Sequence, residues 1–215
     1  MSKIKIGPDE HVFVPGMTGS GKSFLAEVYL AGFEQSVIKL DSKGEVFERR
    51  KKGEPVWRGL VENKDYTVIE QLSEMDKVET KNIIYAPNFD EQDQEHYNEL
   101  MKWVYRRENT TLWIDELMEV APSAMKYPEY LKALYTRGRS KNVSVWSLTQ
   151  RTMDIPTIVL ANSTHFFVFN LNQPQDRKKL ADATGILEFY EQPGKYTFWY
   201  HKLGTDYATK GRLLV

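Results

Sequence analysis

The stretch from Gly16 to Ser23 reads GMTGSGKS, and it constrains the fold of this chain more than any other feature. It satisfies the pattern G-x-x-x-x-G-K-[ST]. The apolar run from His11 to Val14 predicts a strand before it, and the spacing after it predicts a helix that ends at Phe33. Because such a loop turns backbone N–H groups and a helix N-terminus toward one point, the sequence predicts a phosphate-binding loop.

The eight residues of this loop share the task of holding a nucleoside triphosphate. Lys22 is expected to reach the β- and γ-phosphates, and the hydroxyl of Ser23 is expected to join the shell of a Mg²⁺ ion. The predicted nucleotide-binding residues are Gly16, Met17, Thr18, Gly19, Ser20, Gly21, Lys22 and Ser23.

Short apolar strands alternate with longer helical stretches, which predicts an α/β fold with a mainly parallel sheet flanked by helices. Further strands are predicted at 37–40, 66–69, 82–85, 111–114, 143–148 and 165–169, and further helices at 91–107, 130–136 and 175–184. Residues 43–64 are rich in charge, glycine and proline and are predicted to be mostly loop, whereas 195–215 is predicted to be a β-hairpin. We expect a single domain over residues 1–215, with a core at about 10–185 and a hairpin extension at about 186–215.

Composition excludes several classes of function. The chain has no cysteine, so disulfides, thiolate zinc sites, iron–sulfur clusters and cysteine nucleophiles are excluded. The formal net charge is −1, so contact with nucleic acid must come from local patches or from several copies together. No apolar run approaches the roughly 18 residues of a membrane span, and the N-terminus has no signal-peptide pattern, so a soluble intracellular protein is expected.

An acidic pair follows the predicted strand at 111–114. Asp115 is a candidate ligand of Mg²⁺, and Glu116 is a candidate base that orients and polarises an attacking water. An ordinary acidic N-cap after a strand is the alternative. The long separation between Lys22 and Asp115 leaves room for an additional strand between the two motif strands, an arrangement typical of phosphate-loop ATPases with an Asp-Glu pair.

Four further residues are candidates for contact with the γ-phosphate. Gln150 follows the predicted strand at 143–148 and is interpreted as a sensor of the γ-phosphate or of the attacking water. Arg137 and Arg139 flank a glycine and are candidates for an arginine finger, with Arg151 as a weaker one. A finger that acts on a neighbouring subunit requires a ring-shaped oligomer, and plain surface solvation is the alternative for each arginine.

Taken together, these stretches resemble the FtsK–HerA superfamily of DNA-pumping ATPases and are most similar to the compact genome-packaging ATPases of membrane-containing icosahedral viruses. The resemblance rests on GMTGSGKS at 16–23, KLDSKGE at 39–45, LWIDE at 112–116, GRSKNVSVWSLTQR at 138–151 and DIP at 154–156. The order of these stretches is more specific than the phosphate loop alone. It implies a phosphate-loop NTPase fold of the RecA/FtsK-like, additional-strand type.

The same resemblance implies an ATP-hydrolysing translocase of double-stranded DNA that packages a viral genome into a preformed capsid. ATP and Mg²⁺ are the implied cofactors, and a homo-oligomeric ring around DNA is the implied assembly, with a hexamer favoured over a pentamer. Asp115 and Glu116 are implied as the catalytic acidic pair and Gln150 as the sensor. A capsid or vertex protein is a candidate partner, and the host cytoplasm or a packaging vertex of the virion is the expected location.

Local charge gives one candidate contact with DNA. The run Arg49, Arg50, Lys51 and Lys52 is interpreted as a loop that faces DNA phosphates, and a solvated charge run is the alternative. Other functions stay open: a related motor for plasmid transfer or DNA processing, a phosphate-loop small-molecule kinase, and a nucleotide-binding structural protein of a virion. The Asp-Glu pair followed by a strand with a Gln at its tip argues against the kinase.

Overall fold

The computed structural model describes residues 4–214, so residues 1–3 and 215 of the predicted domain and hairpin lie outside the described part. The strands are β1 (Val12–Pro15), β2 (Ser36–Leu40), β3 (Tyr66–Ile69), β4 (Asn82–Tyr85), β5 (Thr110–Ile114), β6 (Val143–Thr149), β7 (His165–Val168), β8 (Thr197–Lys202) and β9 (Thr209–Arg212). The helices are α1 (Lys22–Leu30), α2 (Glu45–Lys52), α3 (Gln94–Arg106), α4 (Leu117–Val120), α5 (Glu129–Arg137), α6 (Thr157–Asn162) and α7 (Pro174–Thr184). No helix within 4–214 has the length and apolar character needed to cross a bilayer.

One nine-stranded sheet carries the fold, in the order β3-β4-β2-β5-β6-β1-β7-β8-β9. The pairs from β3 to β7 are parallel, whereas β8 pairs antiparallel with β7 and β9 pairs antiparallel with β8. The predicted α/β class, the mainly parallel sheet and the C-terminal hairpin are confirmed.

Strand β6 lies between β1 and β5, so the predicted additional strand between the two motif strands is confirmed. Strand β2 lies on the other side of β5. Because these four strands are parallel, the residues that follow them meet at one edge of the sheet. These residues are Gly16 after β1, Asp41 after β2, Asp115 after β5 and Gln150 after β6.

Helices cover both faces of the sheet, as a parallel sheet requires. Neighbouring residues of β1 divide between the two layers: Phe13 belongs to the core that contains Leu100 of α3 and Leu134 of α5. Val14 faces the opposite core, with Leu25 of α1. The sheet is therefore held from both sides, and its carboxyl edge is a rigid base for the loops that follow the strands.

The prediction that residues 43–64 are mostly loop missed one short helix, because α2 occupies Glu45–Lys52. The carboxylate of Asp41 accepts hydrogen bonds from the backbone N–H groups of Glu45 and Val46, at 3.0 and 2.8 Å, and so caps the first turn. Acidic residues occupy the first turn and four basic residues occupy the last, which matches the helix dipole. The charged residues that suggested a loop belong to a short helix.

Candidate active site

The phosphate loop connects β1 to α1 and is fixed to the strands on both sides. The backbone N–H of Gly16 donates to Thr149 O at 3.0 Å, and that of Met17 donates to Asn170 O at 2.7 Å. A Cβ atom at Gly16 would lie 2.5 Å from Cβ of Phe169, so only glycine fits this approach. Gly21 has a φ of 108°, a conformation that other residues rarely adopt. The motif therefore forms the tight, anchored loop that its glycines predict.

Lys22 lies inside this loop and is buried. Its Nζ donates to the carbonyl oxygens of Gly16, at 2.6 Å, and Met17, at 3.1 Å. Burial, together with the nearby ammonium of Lys43, lowers the pKa of Lys22 to about 8, while the carboxylate of Glu116 opposes that shift. The ammonium is thus held by weak carbonyl acceptors at the centre of the loop, where a phosphate would be a stronger partner.

Ser23 and Asp115 come together as predicted. The Ser23 hydroxyl donates to Oδ1 of Asp115 at 3.2 Å and so joins the start of α1 to the end of β5. Burial raises the pKa of the Asp115 carboxyl, the ammonium of Lys39 opposes this, and the carboxylate of Glu45 adds to it. A hydroxyl and a buried carboxylate are hard oxygen donors of the kind that Mg²⁺ prefers, so the residues fit this ion.

An acidic cluster surrounds Asp115, and the sequence did not single it out. Carboxylate oxygens of Asp41, Glu45 and Asp115 lie within 4.8 Å of one another. The buried ammonium of Lys39 lies 3.4 Å from Glu45 Oε2 and 4.5 Å from the ring centre of Trp113. Burial alone would lower the pKa of Lys39, but the surrounding carboxylates raise it. Lys39 therefore compensates the negative charge behind Asp115.

Glu116 is buried beside the phosphate loop, where its Oε1 makes a hydrogen bond and its Oε2 makes an ion pair without a hydrogen bond. Oε1 accepts a hydrogen bond from the backbone N–H of Gln150 at 3.2 Å, and Oε2 forms an ion pair with Lys43 Nζ at 2.9 Å. Lys43 precedes α2, in the stretch that carried the resemblance at 39–45, yet no local signal marked it as a partner of Glu116. The pair joins residues far apart in sequence, and only the β2–β5 pairing brings them together.

Gln150 lies at the tip of β6 and touches the phosphate loop. Its Oε1 accepts a hydrogen bond of 2.7 Å from the Thr18 hydroxyl. Both residues line a cavity of about 300 Å³, which also includes Met17 and Arg151. A polar amide at this point can touch a group bound in the loop, and the sensor role of Gln150 stays a prediction.

Arg151 forms an ion pair with Asp176. Its Nε donates to Oδ2 of Asp176 at 2.8 Å. Asp176 is buried and also accepts from the backbone N–H groups of Thr152 and Met153, at 2.8 and 3.0 Å. The role of Arg151 in this arrangement is to hold the segment after β6 against α7.

Arg137 and Arg139 are exposed and lie at the opposite edge of the sheet from the phosphate loop. Arg139 donates to the hydroxyl of Thr164, the residue before β7, and Arg137 ends α5 ahead of β6. The amino ends of parallel strands share one edge, and the four residues of β1 alone span roughly 13 Å. Neither arginine reaches the phosphate loop of its own chain, so either could act only on a neighbouring one.

The basic run at 49–52 does not present four free cations. Arg49 is buried, and its Nη2 lies 2.5 Å from Glu27 Oε1 and 2.6 Å from Glu45 Oε1, so its interpretation as a contact with DNA phosphate is wrong for this arrangement. Arg50 pairs with Glu62, and Lys51 lies 2.9 Å from Glu48. Lys52 is exposed at the end of α2. The buried carboxylate of Glu27 in α1 and the partly exposed carboxylate of Glu45 in α2 explain why the first arginine of the run faces inward.

No protein-family model matches the sequence, and a search of curated proteins finds no match. Among solved structures, the chain is similar to the genome packaging NTPase B204 from Sulfolobus turreted icosahedral virus 2 in complex with AMPPCP. The two are 18% identical with a TM-score of 0.69, and the match covers 96% of this chain and 99% of the other.

Two further structures have a related fold. One is the pCW3 conjugation coupling protein TcpA with ATPgS: identity is 16%, the TM-score is 0.59, and the match covers 96% of this chain and 61% of TcpA. The other is the N-terminal domain of zonular occludens toxin from Neisseria meningitidis: identity is 14%, the TM-score is 0.51, and 94% and 92% of the two chains are covered. The chain therefore has the fold of a phosphate-loop NTPase, and it shares that fold with a genome packaging NTPase and a conjugation coupling protein.

Proposed function

We propose that this chain is an ATP-hydrolysing translocase of double-stranded DNA that packages a viral genome into a preformed capsid. One observation carries the proposal: the phosphate loop, the Asp115–Glu116 pair and Gln150 meet at one edge of the sheet, with β6 between β1 and β5. This is the set of groups that hydrolysis of a nucleoside triphosphate needs. The fold likeness to B204, a genome packaging NTPase, supports the assignment to packaging.

The residues divide the chemistry among them. Lys22 and the backbone of the loop bind the β- and γ-phosphates of ATP, and Ser23 and Asp115 hold the Mg²⁺ ion. The ion, when bound, neutralises charge that develops on the phosphate oxygens. Glu116 accepts a proton from the attacking water, and the Gln150 amide holds that water or the γ-phosphate in line. Three contacts already join these segments: Thr18 with Gln150, Ser23 with Asp115, and the backbone N–H of Gln150 with Glu116.

The active assembly in this proposal is a homo-oligomeric ring, with a hexamer favoured. Arg137 and Arg139 lie at the edge of the sheet away from their own phosphate loop, which suits an arginine that completes the site of the next subunit. A guanidinium beside the γ-phosphate stabilises transition-state charge and typically raises the rate on the order of 10³-fold. An isolated subunit would then bind ATP and hydrolyse it slowly.

Contact with DNA is proposed to be electrostatic and independent of sequence. Within the basic run at 49–52, Lys52 at the exposed end of α2 is the strongest remaining candidate, because the other three cations have carboxylate partners. A ring multiplies each such contact by the number of subunits. A capsid or vertex protein would dock the ring at the site of packaging, in the host cytoplasm or in the virion.

The proposed unit is a single ATPase domain over residues 1–215, in which the hairpin of β8 and β9 extends the core. A related motor for plasmid transfer is the second candidate, and the fold likeness to the conjugation coupling protein TcpA favours it. Both motors share the same chemistry and differ in the partner that receives or supplies the DNA.

The test is steady-state ATP hydrolysis with and without long double-stranded DNA, with Glu116→Gln as the matched inactive variant. We expect phosphate release that rises severalfold with DNA and vanishes in the variant. Hydrolysis that ignores DNA at low salt, at concentrations that permit assembly, would contradict the translocase. Transfer of the γ-phosphate to an added small acceptor instead of water would favour a kinase.

A further inference from the structure

The ion pair between Lys43 and Glu116 involves the carboxylate that the proposed reaction needs as its base. Lys43 Nζ lies 2.9 Å from Glu116 Oε2, and the other oxygen accepts from the backbone N–H of Gln150 at 3.2 Å. The Glu116 side chain is only 4% exposed, whereas that of Lys43 is 32% exposed. The carboxylate is therefore held from two sides, by a backbone group and by a side chain that reaches solvent.

A general base must point a free lone pair at the proton that it removes. In this arrangement Oε1 of Glu116 is engaged by the backbone N–H of Gln150, whereas Oε2 makes no hydrogen bond and faces the Lys43 ammonium in an ion pair at 2.9 Å. Two opposite charges attract each other more strongly when they are partly withdrawn from water than when they are exposed. The Lys43 ammonium therefore restrains the Glu116 side chain. The same ammonium competes with an attacking water for Oε2 of Glu116.

Lys43 is not needed to hold its own turn. The turn between β2 and α2 is fixed by the Asp41 carboxylate, which accepts from the N–H groups of Glu45 and Val46. Glu45 is fixed in turn by Lys39 and Arg49. The contact of Lys43 with Glu116 is thus separable from the packing of α2, and a variant at position 43 should leave the fold intact.

We propose that Lys43 is a positioning residue that restrains Glu116 while no DNA is bound, and that DNA phosphate draws its ammonium away and frees the carboxylate for catalysis. This inference rests on the proposed ATPase function. The partly exposed ammonium is open to an anion from solvent without any unfolding, and phosphate is a strong partner for it. DNA stimulation would then arise within the subunit, at the site itself.

The test compares Lys43→Ala with the wild-type protein at saturating ATP, with and without long double-stranded DNA. Removal of the restraint should raise the DNA-free kcat by about fivefold or more and bring the ratio of DNA-stimulated to DNA-free rates close to one. Lys43→Arg should restore the low DNA-free rate, since a guanidinium can pair with the same carboxylate. The double variant Lys43→Ala/Glu116→Gln should be inactive, because the added rate depends on Glu116.

Two controls separate positioning from a structural effect. The Kd of a fluorescent ADP analogue and the Tm should stay close to the wild-type values in Lys43→Ala, so that the change falls on kcat and not on KM. The matched variant Lys64→Ala removes an exposed lysine away from the site and should leave the DNA-free rate as it is.

The possible failures are distinguishable. A DNA-free kcat that is unchanged or lower in Lys43→Ala, while the wild-type protein hydrolyses ATP through Glu116, would overturn the restraint and leave the ATPase proposal standing. If neither the wild-type protein nor Lys43→Ala shows hydrolysis that depends on Glu116, with or without DNA, both the restraint and the ATPase proposal are overturned.

Discussion

The Thr18 hydroxyl donates a hydrogen bond of 2.7 Å to Oε1 of Gln150 and so joins the phosphate loop to the tip of β6. The backbone N–H of the same glutamine donates to Glu116. Gln150 therefore bridges the loop that would hold the γ-phosphate and the carboxylate that would activate water. One residue therefore contacts both the phosphate loop and the candidate base.

Substitution of this bridge should affect turnover more than binding. Gln150→Ala removes the side-chain amide but keeps the backbone N–H, so we expect kcat for ATP hydrolysis to fall on the order of 10²-fold, with nucleotide Kd changed by less than about threefold. Steady-state kinetics and titration with a fluorescent nucleotide measure the two quantities. Gln173→Ala is the control, since Gln173 is an exposed glutamine that lines the same cavity. An equal loss in both variants would contradict a specific role for Gln150.

Asp115→Asn should uncouple nucleotide binding from Mg²⁺. The variant keeps the size of the side chain but loses the charge that favours a divalent cation. Calorimetric titration with ATP should show tighter binding with Mg²⁺ than with EDTA in the wild-type protein, and no such difference in the variant. Glu119→Gln, which removes an exposed carboxylate nearby, should retain the difference. If Asp115→Asn retains it as well, Asp115 is not a metal ligand.

The arginine finger can be tested by mixing two inactive proteins. Arg137→Ala or Arg139→Ala should lower DNA-stimulated kcat on the order of 10³-fold if that arginine acts on a neighbouring site. Addition of Glu116→Gln subunits, which keep their arginines, should then restore part of the activity, because mixed rings contain intact interfaces. The exposed Arg106, at the end of α3, offers a control as Arg106→Ala. Failure of every mixture to recover activity would argue against a finger in trans.

The basic run at 49–52 should separate into structural and surface residues. Arg49→Ala leaves the buried Glu27 with Arg58 alone as its cation and is expected to lower the free energy of unfolding by roughly 2 kcal/mol. Lys52→Ala should change stability by less than about 0.5 kcal/mol and weaken DNA binding at low salt. Urea unfolding and DNA titration distinguish the two. If Arg49 contacts DNA and has no structural role, the Arg49→Ala protein will be as stable as the wild type and will bind DNA weakly.

Acid should destabilise the protein through His11. Burial, with the guanidinium of Arg139 adding to it, lowers the pKa of His11 to about 4, and its Nδ1 accepts from the N–H of Val145 at 3.0 Å. Between the unfolded pKa of about 6.5 and the folded value, the unfolded chain binds more protons, so stability falls as pH falls. The full contribution is roughly 3 kcal/mol, present above about pH 6.5 and lost toward pH 4.

Urea unfolding between pH 7 and pH 4.5 checks this titration. His11→Gln keeps an acceptor for Val145 without a titrating group, and it should give a flatter dependence on pH than the wild-type protein. If the free energy of unfolding of His11→Gln falls as steeply with falling pH as that of the wild-type protein, groups other than His11 cause the loss of stability.

The phosphate loop, the acidic pair and the sensor position were predictable because each is encoded within a few consecutive residues. GMTGSGKS favours one backbone path, Asp115 follows the apolar stretch at 111–114, and Gln150 follows the stretch VSVWSLT, which is rich in β-branched and aromatic residues. The position of β6 between β1 and β5 followed from the same motifs and from the long separation between them.

The residues that the sequence did not reveal depend on contacts between distant segments. Lys43 is an ordinary loop lysine until the β2–β5 pairing brings it to Glu116, and Lys39 is a lysine in a strand until three carboxylates surround it. Arg49 was misjudged because its buried partner Glu27 lies on a different helix. Charge complementarity in a buried site is a property of the folded chain, and local spacing does not encode it.

The most direct test of translocation is displacement of a triplex-forming strand from double-stranded DNA. The account predicts that wild-type protein with ATP and Mg²⁺ removes the third strand, and that Glu116→Gln and a non-hydrolysable ATP analogue do not. Displacement should need a duplex arm long enough to seat the ring beside the triplex. ATP hydrolysis that is stimulated by DNA but leaves the triplex in place on every such substrate would contradict the central claim.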